Sequence, residues 1–190
     1  MDTKKTIHFV ILIPHRDAGS HLEEYRQKLF SGGVSGAHSF PAAAPLAEVS
    51  RSFSREELKE LAQNIRRLSL ERDGKIQGSM TNAIVKTGQM SFFGPKLNLS
   101  ISEDTFPSTS KEKIIRILSP PVLCAALIEP KAYDLNHEEA PAISFKAASL
   151  ANLAIRPLAV EPGNSMEYSI EYSYEWKICL RVWLPAFKKA

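Results

Sequence analysis

The chain is poor in the features that would announce a secreted, membrane-bound or metal-dependent protein. It has two cysteines in 190 residues. Cys124 and Cys179 each sit inside an apolar run, 122–128 and 178–182. An isolated thiol in such a run packs as a small buried side chain, and two thiols so far apart supply neither a disulfide framework nor a zinc site. Long hydrophobic stretches are also missing from the start of the chain. After Met1-Asp2-Thr3-Lys4-Lys5 the apolar residues run only from Ile7 to Pro14, too short for the hydrophobic region of a signal peptide or for a membrane span. Both absences predict a soluble protein of a reducing compartment, the cytoplasm, with no membrane partner. Charge of one sign is lacking as well. There are 24 basic and 21 acidic residues, a net charge of +3, and from Arg51 to Arg72 the two signs alternate as on a solvated helix face.

The signatures of common chemistries are missing too. Gly32-Gly33 and Gly36 follow a helix and open none, so they are not a dinucleotide fingerprint. There is no Walker sequence and no Gly-x-Ser-x-Gly elbow, and Ser79, Ser91 and Ser100 have no evident base beside them. His137-Glu138-Glu139 has no second histidine at ligand spacing, so neither a metal nor a cofactor is expected. Asp17, Glu48, Glu103 and Asp104 are scattered carboxylates with no acid/base spacing. The remaining histidines are His8, His15, His21 and His38. His15-Arg16-Asp17 ends an apolar run and leads into a helix, a position where proteins hold phosphates. A solvated turn is the plainer reading of the same residues. His38-Ser39 lies in a Gly/Ser stretch.

What is present is ordinary globular patterning, with 44% hydrophobic and 24% charged residues in a chain long enough for one self-sufficient core. A single domain over 1–190 is expected. Ile7 to Pro14 reads as a central strand. Ser20 caps a helix whose apolar positions are Leu22, Tyr25, Leu29 and Phe30, stopped by Gly32-Gly33. Residues 40–49 read as an edge strand or extended loop, because Pro41 and Pro45 remove two ladder donors. Ser54-Arg55-Glu56-Glu57 is a capping-box pattern, and Leu58, Leu61, Ile65 and Leu68 continue it at helical spacing. The period then falls toward two, with Leu97, Leu99 and Ile101 marking a half-buried antiparallel strand. Ser110 is read as the cap of a short helix over 111–118, followed by a strand at 122–128, a loop at 130–141, and strands over 143–157, 167–174 and 175–184. The order implies an α+β fold with a mixed or antiparallel sheet and helices packed on one side. Tyr168, Tyr172, Tyr174 and Trp176 run beside Lys177, Arg181, Lys188 and Lys189. Such a stretch either stacks the bases of a single-stranded nucleic acid or packs across strands in the core.

Taken together, IHFVILIP (7–14), KLFSGG (28–33), FPAAAPLAEV (40–49), SFSREELKELAQNI (52–65), GQMSFFGPKLNLSI (88–101), PPVLCAALI (120–128), NLAIRPL (152–158) and YSYEWKICLRVWLP (172–185) give a layout that resembles the 2H phosphoesterases. These include RNA cyclic phosphodiesterases and the enzymes called 2′-5′ RNA ligases. The resemblance implies two related α+β lobes around a central cleft, each lobe giving a His-x-Thr/Ser motif. Two histidines would then move protons while the hydroxyls hold phosphate. In this chain Ala43 stands at the first histidine position and Pro45 at its threonine, while Val122 and Cys124 occupy the second pair. The resemblance therefore implies a degenerate member that binds RNA, a nucleotide or a protein without the two-histidine reaction, with His15, Arg16, His38 and Arg156 as ligand contacts. A divergent phosphodiesterase with relocated histidines, taken from His15, His38 or His137, is the alternative it leaves. A single-stranded nucleic-acid module unrelated to that family is another.

Overall fold

The fold is built on the apolar run at the start of the chain, and a computed structural model describes it for residues 6–70, 75–88, 90–128, 139–157 and 174–184. Ile7–Pro14 forms strand β1, buried along nearly its whole length. A strand with apolar residues on both parities must be covered on both faces, and β1 is. It lies at the centre of a five-stranded sheet, between β2 (Ala44–Val49) and β8 (Ala147–Pro157), with β5 (Ile114–Ile117) and β9 (Tyr174–Trp183) at the edges. The second sheet has four strands, in the order β6 (Ala126–Ile128), β4 (Ser91–Leu97), β3 (Ile76–Lys86) and β7 (Ser144–Phe145). Every pairing in both sheets is antiparallel. The fold is therefore α+β, with antiparallel rather than mixed sheets.

Side-chain parity on β1 separates two apolar layers. Ile7, Phe9 and Ile11 join Ala151, Leu153 and Ile155 of β8 and meet Val85, Phe92 and Leu127 of the second sheet, so this layer lies between the sheets. Phe92 stands edge-on to both Phe9 and Phe40, at ring-centroid distances of 5.4 and 5.0 Å, the arrangement aromatic quadrupoles favour. Val10 and Leu12 point the other way, into the larger cluster that holds Leu58, Leu61, Ala62 and Ile65 of helix α2 (Arg55–Leu70). Helix α2 packs on β8 and β9, whereas helix α1 (Arg16–Ser31) packs on β7 of the second sheet. Leu22, Tyr25 and Leu29 of α1 nevertheless join the same cluster as the apolar face of α2, so both helices lie on the side of β1 away from the inter-sheet layer.

Ser54 caps α2 as its sequence indicates. Its backbone N–H donates to Glu57 Oε2 at 2.7 Å, and its hydroxyl accepts from Glu57 N–H at 3.2 Å. Helix α1 instead begins at Arg16, one turn before Ser20, with His15 at its cap position and no side-chain cap. Four other expectations change. Segment 44–49 is an interior strand, because β5 pairs only with Ala47 to Val49 and the ladder to β1 slips at Val10/Ile11, beside Pro45. The short helix at 111–118 is a 3₁₀ turn over Ser108–Lys113 followed by β5. The strand at 122–128 is regular only from Ala126, with an isolated bridge from Val122 to Lys96. Leu99 and Ile101 are buried, but β4 has already ended at Leu97. The strand expected at 167–174 lies outside the described residues except for Tyr174, as does most of the loop at 130–141.

Candidate functional site

The two segments that the resemblance marks for chemistry meet where the sheets join. Residues 121–125 run along β4 with alternate amides facing it. Leu97 N–H donates to Pro121 O, Leu123 N–H to Pro95 O and Ala125 N–H to Phe93 O, at 2.8 to 3.0 Å. The amide between the last two faces the other way, and Cys124 N–H donates to Ala43 O at 3.0 Å. One backbone segment thereby stitches the second sheet to the approach of β2. Gly94 allows this closeness, because a Cβ there would lie 1.9 Å from Leu123 O.

Arg26 of α1 locks the seam. Its side chain is buried, and Nη2 donates to Pro41 O at 3.0 Å and to Cys124 O at 2.7 Å, while Nη1 reaches Glu23 Oε1 at 3.1 Å. A guanidinium is the side chain that can hold two carbonyls from separate segments with one planar fork. Nothing in the sequence singled out Arg26. Only its place among α1's apolar positions Leu22, Tyr25 and Leu29 hinted that it faces inward.

Around this seam the four positions of interest are sealed. Ala43, Val122 and Cys124 share the inter-sheet layer with Phe9, Phe40 and Phe92, and Pro45 is buried opposite Ile11. None of Ala43, Pro45 and Val122 can exchange a proton. Burial pushes the Cys124 thiol up to about 12, against a small opposing pull from the Arg26 charge and hydrogen bonds. It is therefore neutral at physiological pH and a poor nucleophile.

The other candidates lie on separate elements. His15 is exposed at the β1–α1 junction, where its backbone N–H donates to Lys146 O at 2.8 Å. Arg16 opens α1 and His38 ends a 3₁₀ turn over Ser35–His38. Arg156 is exposed on β8 and pairs with Glu175 of β9. His8 and His15 mark opposite ends of β1, seven residues and so roughly 23 Å apart along a strand, too far to share one phosphate. His21 is exposed on α1 beside Glu24, and His137 lies outside the described residues. Among the described residues no group of three or more His, Cys, Asp or Glu side chains could hold a metal ion, and no helix is long and apolar enough to cross a membrane.

A second constellation lies on β9. Its register against β8 slips between Asn152 and Leu153, leaving Cys179 as an unpaired extra residue. An extra residue turns the following side chains to the opposite face. Trp176 and Ile178 lie opposite Ile155 and Leu153, and beyond the bulge Arg181 and Trp183 lie opposite Ala151 and Ser149. All four therefore share the inter-sheet face. Arg181 stands over the Trp183 ring, 4.1 Å from its centroid, and its Nε donates to Ser149 Oγ at 2.7 Å. Trp176 is 43% and Trp183 67% exposed, whereas Ile178 packs against the inter-sheet layer. Comparison of the chain with protein-family models, curated proteins and solved structures finds no match in any of the three.

Proposed function

We propose that this chain is a catalytically degenerate 2H phosphoesterase-like protein that acts by binding and not by two-histidine phosphoryl chemistry. One observation carries the reading. The segments that would bear the two motifs do come together, through Cys124 N–H to Ala43 O and the Arg26 fork, yet every side chain at the four motif positions is buried and apolar or a neutral thiol. A general base, a general acid and donors to the phosphoryl oxygens are all needed for that reaction. The seam supplies none of them from these positions. Its architecture survives as packing.

Of the described histidines, His8 and His15 stand at opposite ends of β1 and so do not form an acid/base pair with each other. The test is hydrolysis of a 2′,3′-cyclic nucleotide and of a short RNA ending in a cyclic phosphate, for the whole chain and for His15→Ala, His38→Ala and His137→Ala. The expected result is no turnover above buffer in any of them. Turnover that disappears on replacing one histidine would overturn the proposal.

A further inference from the structure

The β9 constellation has no place in the reading above, and none of its residues occupies a motif position. We propose that the inter-sheet face of β9 is a stacking platform for a single strand of nucleic acid, with Trp176 and Trp183 receiving bases and Arg181 a phosphate.

Three observations converge on this occupant. The first is the bulge. Trp176 and Trp183 are seven residues apart, an odd spacing that would send them to opposite faces of a regular strand. Cys179 inserts the one residue that brings both to the same face. Their partners on β8, Ile155 and Ser149, are six residues apart, so the rings stand roughly 20 Å from each other along the strand, a span suited to a chain of several units and not to one small molecule. The second is the state of Arg181. Ser149 and the Trp183 ring fix the guanidinium in place, which leaves its terminal amino groups as donors for an anion beside a ring free to stack. The third is charge. Arg181 is the only charged residue that the β8–β9 register places on this face. Glu175 lies on the opposite face, paired with Arg156. Exposed Lys146 immediately precedes β8 at the Trp183 end. Aromatic rings in line with a cation and no carboxylate match the alternation of bases and phosphates.

These are the chain's two tryptophans, so its intrinsic tryptophan fluorescence reports on this face alone. Titration of the full chain with a short oligouridylate and a short oligothymidylate is expected to quench that fluorescence with both probes, since stacking is indifferent to the sugar. The affinity should fall as salt rises. Trp183→Ala and Trp176→Ala should each weaken binding by roughly tenfold, read for these variants with labelled probe. Arg181→Gln should weaken binding and flatten the salt dependence by about one counterion. Circular dichroism of each variant checks that it folds as the parent does. The proposal is overturned if neither oligonucleotide quenches, if polyglutamate binds as well as they do, if the tryptophan variants bind normally, or if quenching follows self-association of the chain. Cyclic-phosphate hydrolysis would not bear on it, so the two proposals fail separately.

Discussion

Cys124 and Cys179 show how far a single residue can be read from its neighbours. Both sit in apolar runs, and the sequence places both inside. Cys124 is fully buried at the seam, but Cys179 is exposed. Apolar neighbours do not settle the matter, because Cys179 is the residue that the bulge leaves without a cross-strand partner, and a bulge arises from the pairing of two strands. The two thiols should therefore differ in reactivity. One equivalent is expected to react quickly with a thiol reagent on the native chain at pH 8, and a second only after unfolding. Cys179→Ser should abolish the fast equivalent and Cys124→Ser the slow one. Fast reaction of both would mean that the seam opens readily in solution. That Ala43, Pro45 and Val122 carry no group able to transfer a proton is legible from the sequence alone. The role of Arg26 is not, since its partners Pro41 O and Cys124 O lie 15 and 98 residues away.

Among the elements, α2 was the most readable and is also tied down by a contact that no local pattern reveals. Glu57, the capping-box partner of Ser54, is buried and accepts a hydrogen bond from Lys113, itself buried in the 3₁₀ turn before β5. Burial raises the Glu57 pKa, but the Lys113 hydrogen bond, the Ser54 amide and the Lys113 charge together outweigh burial and hold it below 4.5. A carboxyl lowered on folding contributes stability that is present above 4.5 and is lost as the pH falls through its folded value. Glu57→Gln strands a buried ammonium, and such losses run to about 3 kcal/mol. Urea unfolding should show that deficit at pH 7 and show it shrinking below pH 4.5. A deficit that does not change with pH would assign the effect to packing. The same element scale holds the reading that failed most clearly. Prolines 41 and 45 argue against an interior strand, yet β2 is one, because β5 pairs with Ala47 to Val49 and the next bond on that side uses Leu46 O as acceptor, so none asks Pro45 for a donor. Strand length across a sheet is a property of the partner, invisible in residues 40–49 themselves.

For the whole molecule, α+β class and antiparallel pairing follow from the mix of one strong amphipathic helix with many short alternating runs, and both are observed. The division into two sheets is not legible in the residue periodicity, since it depends on Lys146 separating β7 from β8 and sending two adjacent strands to different sheets. The junction of those sheets rests on close backbone approach, which a glycine alone permits. Gly94→Ala should force Cβ into Leu123 O and separate the seam, lowering stability by about 3 kcal/mol or more. Thermal melting followed by circular dichroism checks this, and a melt within a degree or two of the parent would show that the seam yields easily. The central place of β1 has a further consequence, for synthesis. Its ladder with β8 joins Ile7 to Ile155, so the first strand leaves the ribosome long before its second neighbour exists. At about 5–20 residues per second the wait is on the order of ten seconds. Over that interval a sticky nascent segment is bare on one edge, and a holding chaperone on the growing chain becomes a natural requirement for good yield.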